Sequence, residues 1–148
     1  MFKSILVATD GSALSDAAIK EAASLAKELG SKLVLFYAAP RGGWSALQEG
    51  GPEPKPSDSA PEDMGSVAEK ILASAARNAN LAGLPVEQHY TVSTSPHRAI
   101  VEAAKKFQCE LIIIASHARR GFSGVLLGSE TEKLLSHSNV PVIVVHRS

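Results

Sequence analysis

The stretch Ile5-Leu6-Val7-Ala8-Thr9-Asp10-Gly11-Ser12 decides the fold. Its first four residues form a short apolar run with branched side chains, which reads as a buried strand. Thr9-Asp10-Gly11-Ser12 is a turn cluster. Leu14, Ala18, Ala22, Leu25 and Leu29 follow at spacings of three and four, the mark of one helix face. Gly30 then reads as a helix stop after Lys27. Strand, turn and helix in that order open a β-α-β unit.

The same rhythm continues outward. Leu33 to Ala39 is a second apolar run. Val67, Ile71, Leu72, Ala75 and Ala79 mark a second helix, closed by Gly83 and Pro85. Val86 to Val92 alternates weakly and reads as the poorest strand, suited to a sheet edge. Ser95-Pro96 reads as a helix start, because serine caps and proline is pre-shaped for the first helical position. Ile100, Ala103, Ala104 and Phe107 are that helix's expected buried face. Leu111 to Ala115 and Val140 to Val145 are the fourth and fifth runs. This order predicts an α/β fold, an open and mainly parallel five-stranded sheet with helices on both faces. The last run fits two descriptions, an internal strand or an edge along which two copies pair.

Length and charge bound the rest. A chain of 148 residues is expected to be one domain, residues 1–148. Fifteen basic residues balance fifteen acidic ones. That balance removes the electrostatic case for nucleic acid or a membrane surface as partner. No apolar run approaches the roughly 18 residues of a membrane span. The start, Met1-Phe2-Lys3-Ser4-Ile5, lacks the pattern of a signal peptide. One cysteine, Cys109, makes no internal disulfide and no cysteine-rich metal site. The expectation is a soluble cytoplasmic protein. Residues 41–65 break the rhythm as a long connection rich in proline and glycine. Its tryptophan, Trp44, is expected to fold back as a lid on the nearest apolar surface.

In open parallel sheets, ligands sit beyond the carboxyl ends of the strands, where the strand order reverses. Strand one ends at Thr9-Asp10-Gly11-Ser12, strand two at Tyr37-Ala38-Ala39-Pro40, and strand four at Ala115-Ser116-His117-Ala118-Arg119-Arg120-Gly121. That last segment runs to Gly128 and Ser129. Ser129-Glu130-Thr131-Glu132 fits a capping box, and exposed N–H groups at such a helix start suit a phosphate. Arg119 and Arg120 add positive charge, while Glu130 and Glu132 oppose it. The same residues equally fit a tight loop, a helix cap and solvated arginines. Asp10 suits either a ribose hydroxyl or a turn contact. Ala38 and its neighbours suit an adenine slot or plain packing.

Several chemistries are excluded. There is no G-x-x-x-x-G-K-[ST], no G-x-G-x-x-G after the first strand, and no G-x-S-x-G elbow. The five histidines lack metal-ligand spacing. Cys109 has acidic Glu110 beside it, which does not activate a thiol, so an inert buried cysteine is expected. His117 has no partnered nucleophile and is expected to orient its loop. No catalytic residue is assigned, and slow incidental hydrolysis is the most that is expected.

The chain resembles the universal stress protein A family over essentially its full length. The resemblance rests on Ile5 to Ser12, on Glu110-Leu111-Ile112-Ile113-Ile114-Ala115-Ser116-His117, on Leu126-Leu127-Gly128-Ser129, and on Asn139-Val140-Pro141-Val142-Ile143-Val144-Val145. It implies strand order 3-2-1-4-5 and homodimers paired through the Val140–Val145 strand. One branch of that family binds ATP through G-x2-G-x9-G-[ST]. Ending that pattern on Gly128-Ser129 places its first two glycines on Ala115 and Ala118. Glycine permits positive φ and close phosphate approach, and alanine opposes both. The resemblance therefore implies a cleft for ATP, or a related adenine nucleotide with Mg, in which the phosphate loop is altered. Its residues would be Ala8, Thr9, Asp10, Ala38, Ala115, Ser116, His117, Ala118, Arg119, Gly128, Ser129, Glu130 and Thr131. The alternative is a dimeric module with weakened nucleotide binding that acts on a protein partner.

Overall fold

The computed structural model describes residues 2–40, 64–79, 81, 83–117 and 128–147. Nine elements alternate: β1 (Ser4–Thr9), α1 (Ala13–Leu29), β2 (Lys32–Pro40), α2 (Met64–Ala79), β3 (Val86–Ser93), α3 (Pro96–Lys106), β4 (Leu111–His117), α4 (Gly128–His137) and β5 (Val142–Arg147). The strands form one sheet in the order β3-β2-β1-β4-β5, as expected. Every pairing is parallel. β1 lies at the centre, with all six residues buried.

A central strand buries both faces, so β1 needs apolar residues at successive positions. Ile5 and Val7 point into a core closed by α1 and α2. Leu6 and Ala8 point into a second core, closed by α3 and by Leu134 of α4. The chain steps outward from β1 to β2 to β3, then α3 carries it back to β4 on the other side of β1. Connections leave β1 and β4 in opposite directions, and that reversal opens a crevice at their carboxyl ends.

α1 shows how local sequence sets its bounds. Ser12 is the N-cap and accepts the Ser15 amide at 3.2 Å. Gly30 ends the helix in the left-handed region, at φ 68°. Leu14, Ala18 and Ala22 are buried as expected, but Leu29 is 43% exposed. The buried stripe runs instead through Ile19, Ala23 and Ala26, because residues four apart drift around a 3.6-residue helix.

Other expectations shift in detail. β3 is an edge, with no fully buried residue. Ser95 and Pro96 open α3, yet the Ser95 hydroxyl makes no cap hydrogen bond. It faces His97 Nδ1 at 3.3 Å. Phe107 ends α3, packs half-buried against the same core as Ile100, Ala103 and Ala104, and stacks on His89 of β3, ring centroids 3.9 Å apart. β5 is the other edge, which removes the internal-strand description of the last apolar run. α2 already begins at Met64, inside the expected 41–65 connection. Residues 41–63, with Trp44 and its lid role, lie outside the described residues. Cys109 is buried, its thiol is pushed up by that burial, and it lies 3.5 Å from the Ser4 hydroxyl. No helix among the described residues is long and apolar enough to cross a membrane.

Candidate functional site

The turn after β1 is built from hydroxyls and one carboxylate. Thr9 and Ser15 are buried, and their hydroxyls lie 3.0 Å apart. Thr9 Oγ1 accepts the Gly11 amide at 3.1 Å. Asp10 Oδ1 accepts the Ser12 amide at 2.9 Å. That is a turn contact, and it engages one carboxylate oxygen. Oδ2 takes no hydrogen bond among the described residues, so the turn fixes Asp10 and leaves an acceptor over. Gly11 has φ +86°, and an added Cβ would stand 3.4 Å from Ile71 Cγ2 of α2. The turn therefore needs glycine for conformation and has little room beside it.

β2 contributes Tyr37, Ala38 and Ala39. Thr9 and Tyr37 are register partners, which brings the ends of β1 and β2 level. Ala38 is half-buried beside Thr91 of β3. Tyr37 is 1% exposed, and its hydroxyl has no hydrogen-bond partner among the described residues. Burial, reinforced by the Asp10 charge, pushes the phenol up to about 12.

β4 and α4 form the opposite wall. Ala8 is a core residue of β1, and Ala115 of β4 is 2% exposed. Ala115 pairs with Val145 in regular strand, and it is not among the residues with positive φ. No left-handed backbone calls for glycine there. Ser116 and Thr131 are buried, and Thr131 Oγ1 donates to Ser116 Oγ at 3.1 Å. That bond ties the first turn of α4 to the end of β4. His117 is the last residue of β4. α4 begins at Gly128, so Ser129 lies inside its first turn and is not the N-cap of the expected capping box. Ala118 and Arg119 lie outside the described residues, with Arg120.

Glu130 behaves differently from the expectation. Its Oε1 accepts the His97 amide at 3.4 Å and lies 3.1 Å from His97 Nδ1. Its Oε2 accepts from Lys133 Nζ at 3.3 Å. Burial pushes this carboxyl up, but the bonds from His97 and Lys133 outweigh it and hold it below the usual carboxylate range. Sequence reasoning missed His97 and Ser15. Ser15 had a local signal, as the third residue beyond a capping serine. His97 had none, because its partner is 33 residues away.

The site thus brings Thr9, Asp10, Ala38, Ala115, Ser116 and Thr131 to the carboxyl edge of one sheet. An acidic acceptor, small side chains at strand ends and a reversal of strand order are the parts of a nucleotide crevice. Residues 1–146 match the Universal stress protein family. The chain belongs to that family.

Its relatives share nearly its whole length. Universal stress protein YxiE of Bacillus subtilis is 30% identical, over 98% of this chain and 99% of its own. A universal stress protein of Methanocaldococcus jannaschii is 26% identical, over 99% of this chain and 84% of its own. A Mycobacterium tuberculosis relative, 32% identical, is matched over 97% of this chain but only 45% of its own length. Among solved structures, a universal stress protein in complex with cAMP has a TM-score of 0.69 at 25% identity, covering 99% of this chain and 98% of that one. The fold and the family of this universal stress protein are therefore established.

Proposed function

We propose that this universal stress protein is a stress-response regulator that binds ATP, or a related adenine nucleotide, in the crevice beyond β1 and β4. The carrying observation is Asp10, whose Oδ1 is fixed by the Ser12 amide while Oδ2 is left over for a ribose hydroxyl. The relative solved with cAMP supports an adenine ligand. Ala38 would face the base. Ser116, His117, Gly128, Ser129 and Thr131 would lie near the phosphates, with Ala118 and Arg119 on the intervening loop. Mg would accompany ATP through phosphate oxygens and water.

Binding, not turnover, is the proposed activity. Glu130 is committed to His97 and Lys133, and the Asp10 oxygen that the turn leaves over is assigned to the ribose, so neither carboxylate is assigned as a general base. The cytoplasm suits Cys109, a buried and unpaired thiol. A homodimer through β5 is part of the same reading. β5 presents Val142, Ile143, Val144 and Val145 at an open edge, with Ile143 41% exposed. The other edge, β3, carries Glu87, paired with Lys32 of β2 at 2.7 Å, and His89, a polar edge that discourages strand pairing.

The second reading is a module with weakened nucleotide binding that works through a protein partner. Alanine at 115 and 118 favours it. The regular strand at Ala115 leaves Ala118 as the substitution that matters. The test is to denature the purified protein, assay released nucleotide, and titrate the refolded or untreated chain with ATP. Saturable binding supports the first reading. No released nucleotide and no binding at millimolar ATP moves the protein to the second. Where ATP requires a left-handed backbone at position 118, Ala118→Gly is expected to tighten ATP about 5- to 30-fold, the equivalent of about 1–2 kcal/mol. An unchanged affinity would show that the Cβ is not the obstacle.

A further inference from the structure

His97 and Glu130 meet between the first turns of α3 and α4, two helices that pack side by side. Their side chains are 13% and 21% exposed. α3 lacks a side-chain cap from Ser95. The carboxylate of Glu130 takes that place, because it accepts the His97 amide, one of the N–H groups a helix start leaves without an internal partner. The imidazole adds a second contact to the same oxygen. On its other side, the first turn of α4 is held by the Thr131–Ser116 bond. Among the described residues, the charged or titratable groups that contact this pair are Lys133 and His137, both on α4. The His137 ring lies 5.3 Å from that of His97.

A carboxylate in the first turn of α4 would ordinarily repel a phosphate arriving there. Here the side chain is spent on α3. We propose that Glu130 is a positioning residue: by capping α3 through His97, it fixes the first turn of α4 and turns its own negative charge away from an anionic ligand. This rests on the adenine-nucleotide reading.

The two roles predict opposite signs. Loss of a repelling charge tightens an anionic ligand, and loss of a positioning clasp weakens it. The experiment titrates the full chain with cAMP, which carries one fixed negative charge, and with uncharged adenosine. Glu130→Ala is expected to weaken cAMP about tenfold, the scale of one lost hydrogen bond to a charged group, and to leave adenosine within about twofold. Glu130→Gln keeps an acceptor for the His97 amide and is expected to weaken cAMP by only about threefold. It also serves if the alanine variant does not fold. Unchanged or tighter cAMP binding by Glu130→Ala, or tighter binding by Glu130→Gln, overturns the proposal. If the wild type binds neither ligand, the nucleotide reading has failed. Amide exchange at His97 then decides: acceleration in Glu130→Ala supports the clasp, and unchanged exchange overturns it.

Discussion

Tyr37 is the residue where burial and hydrogen bonding disagree most. Its ring fills the core between β2 and the α1–α2 layer, yet among the described residues its hydroxyl is unpartnered. An unsatisfied buried hydroxyl costs about 1–3 kcal/mol. Tyr37→Phe is therefore expected to stabilise the fold by about 1 kcal/mol in urea unfolding. The pH dependence has a definite sign. The folded phenol is raised to about 12 from an ordinary value of 10.0, so the unfolded chain ionises first. Stability is retained below pH 10 and falls as pH rises towards 12. Tyr37→Phe should flatten that decline, and an equal decline in the variant would assign it to other groups. Glu130 has the opposite sign. Its carboxyl is lowered in the fold, so its contribution is present above the ordinary glutamate value and is lost as pH falls below it. Glu130→Gln should lower the melting temperature near pH 7, with the gap closing below about pH 4. A gap that persists in acid would mean that charge is not the origin.

At the level of elements, the turn from β1 to α1 was legible in the sequence and the start of α4 was not. The turn is local. Thr9, Asp10, Gly11, Ser12 and Ser15 satisfy one another within seven residues of chain. Gly11→Ala is expected to cost about 1–2 kcal/mol, because it forces a Cβ into left-handed backbone against Ile71. Chemical denaturation measures that loss, and nucleotide titration should show weaker binding alongside it. By contrast, Ser129 read as the N-cap of α4 because it satisfies a local pattern with Glu132. The helix begins at Gly128, and Glu130 turns to α3. The start of α3 is similar. Ser95 occupies the capping position, but its hydroxyl faces His97. Both helix starts sit at the carboxyl end of the sheet, and Glu130 of α4 satisfies an amide at the start of α3.

At the scale of the whole molecule, the two edges of the sheet differ in kind. β3 is half-exposed and polar, while β5 is short, apolar and open. Val142→Lys or Val144→Lys is expected to shift the sedimentation mass from dimer to monomer. If both variants keep the wild-type mass, the copies pair elsewhere or do not pair. The alternation of apolar runs and helical stripes determined by itself that this chain makes a parallel α/β sheet. It also determined that the residues after β1 form a polar turn, because both features arise from neighbours in sequence. Only the tertiary structure decided that β5 is an edge, that Phe107 stacks on His89, and that Glu130 caps α3. Those outcomes depend on which elements the crossover from β3 to β4 brings side by side. A period of 2 or 3.6 residues describes one element's face and carries no record of what that face will meet.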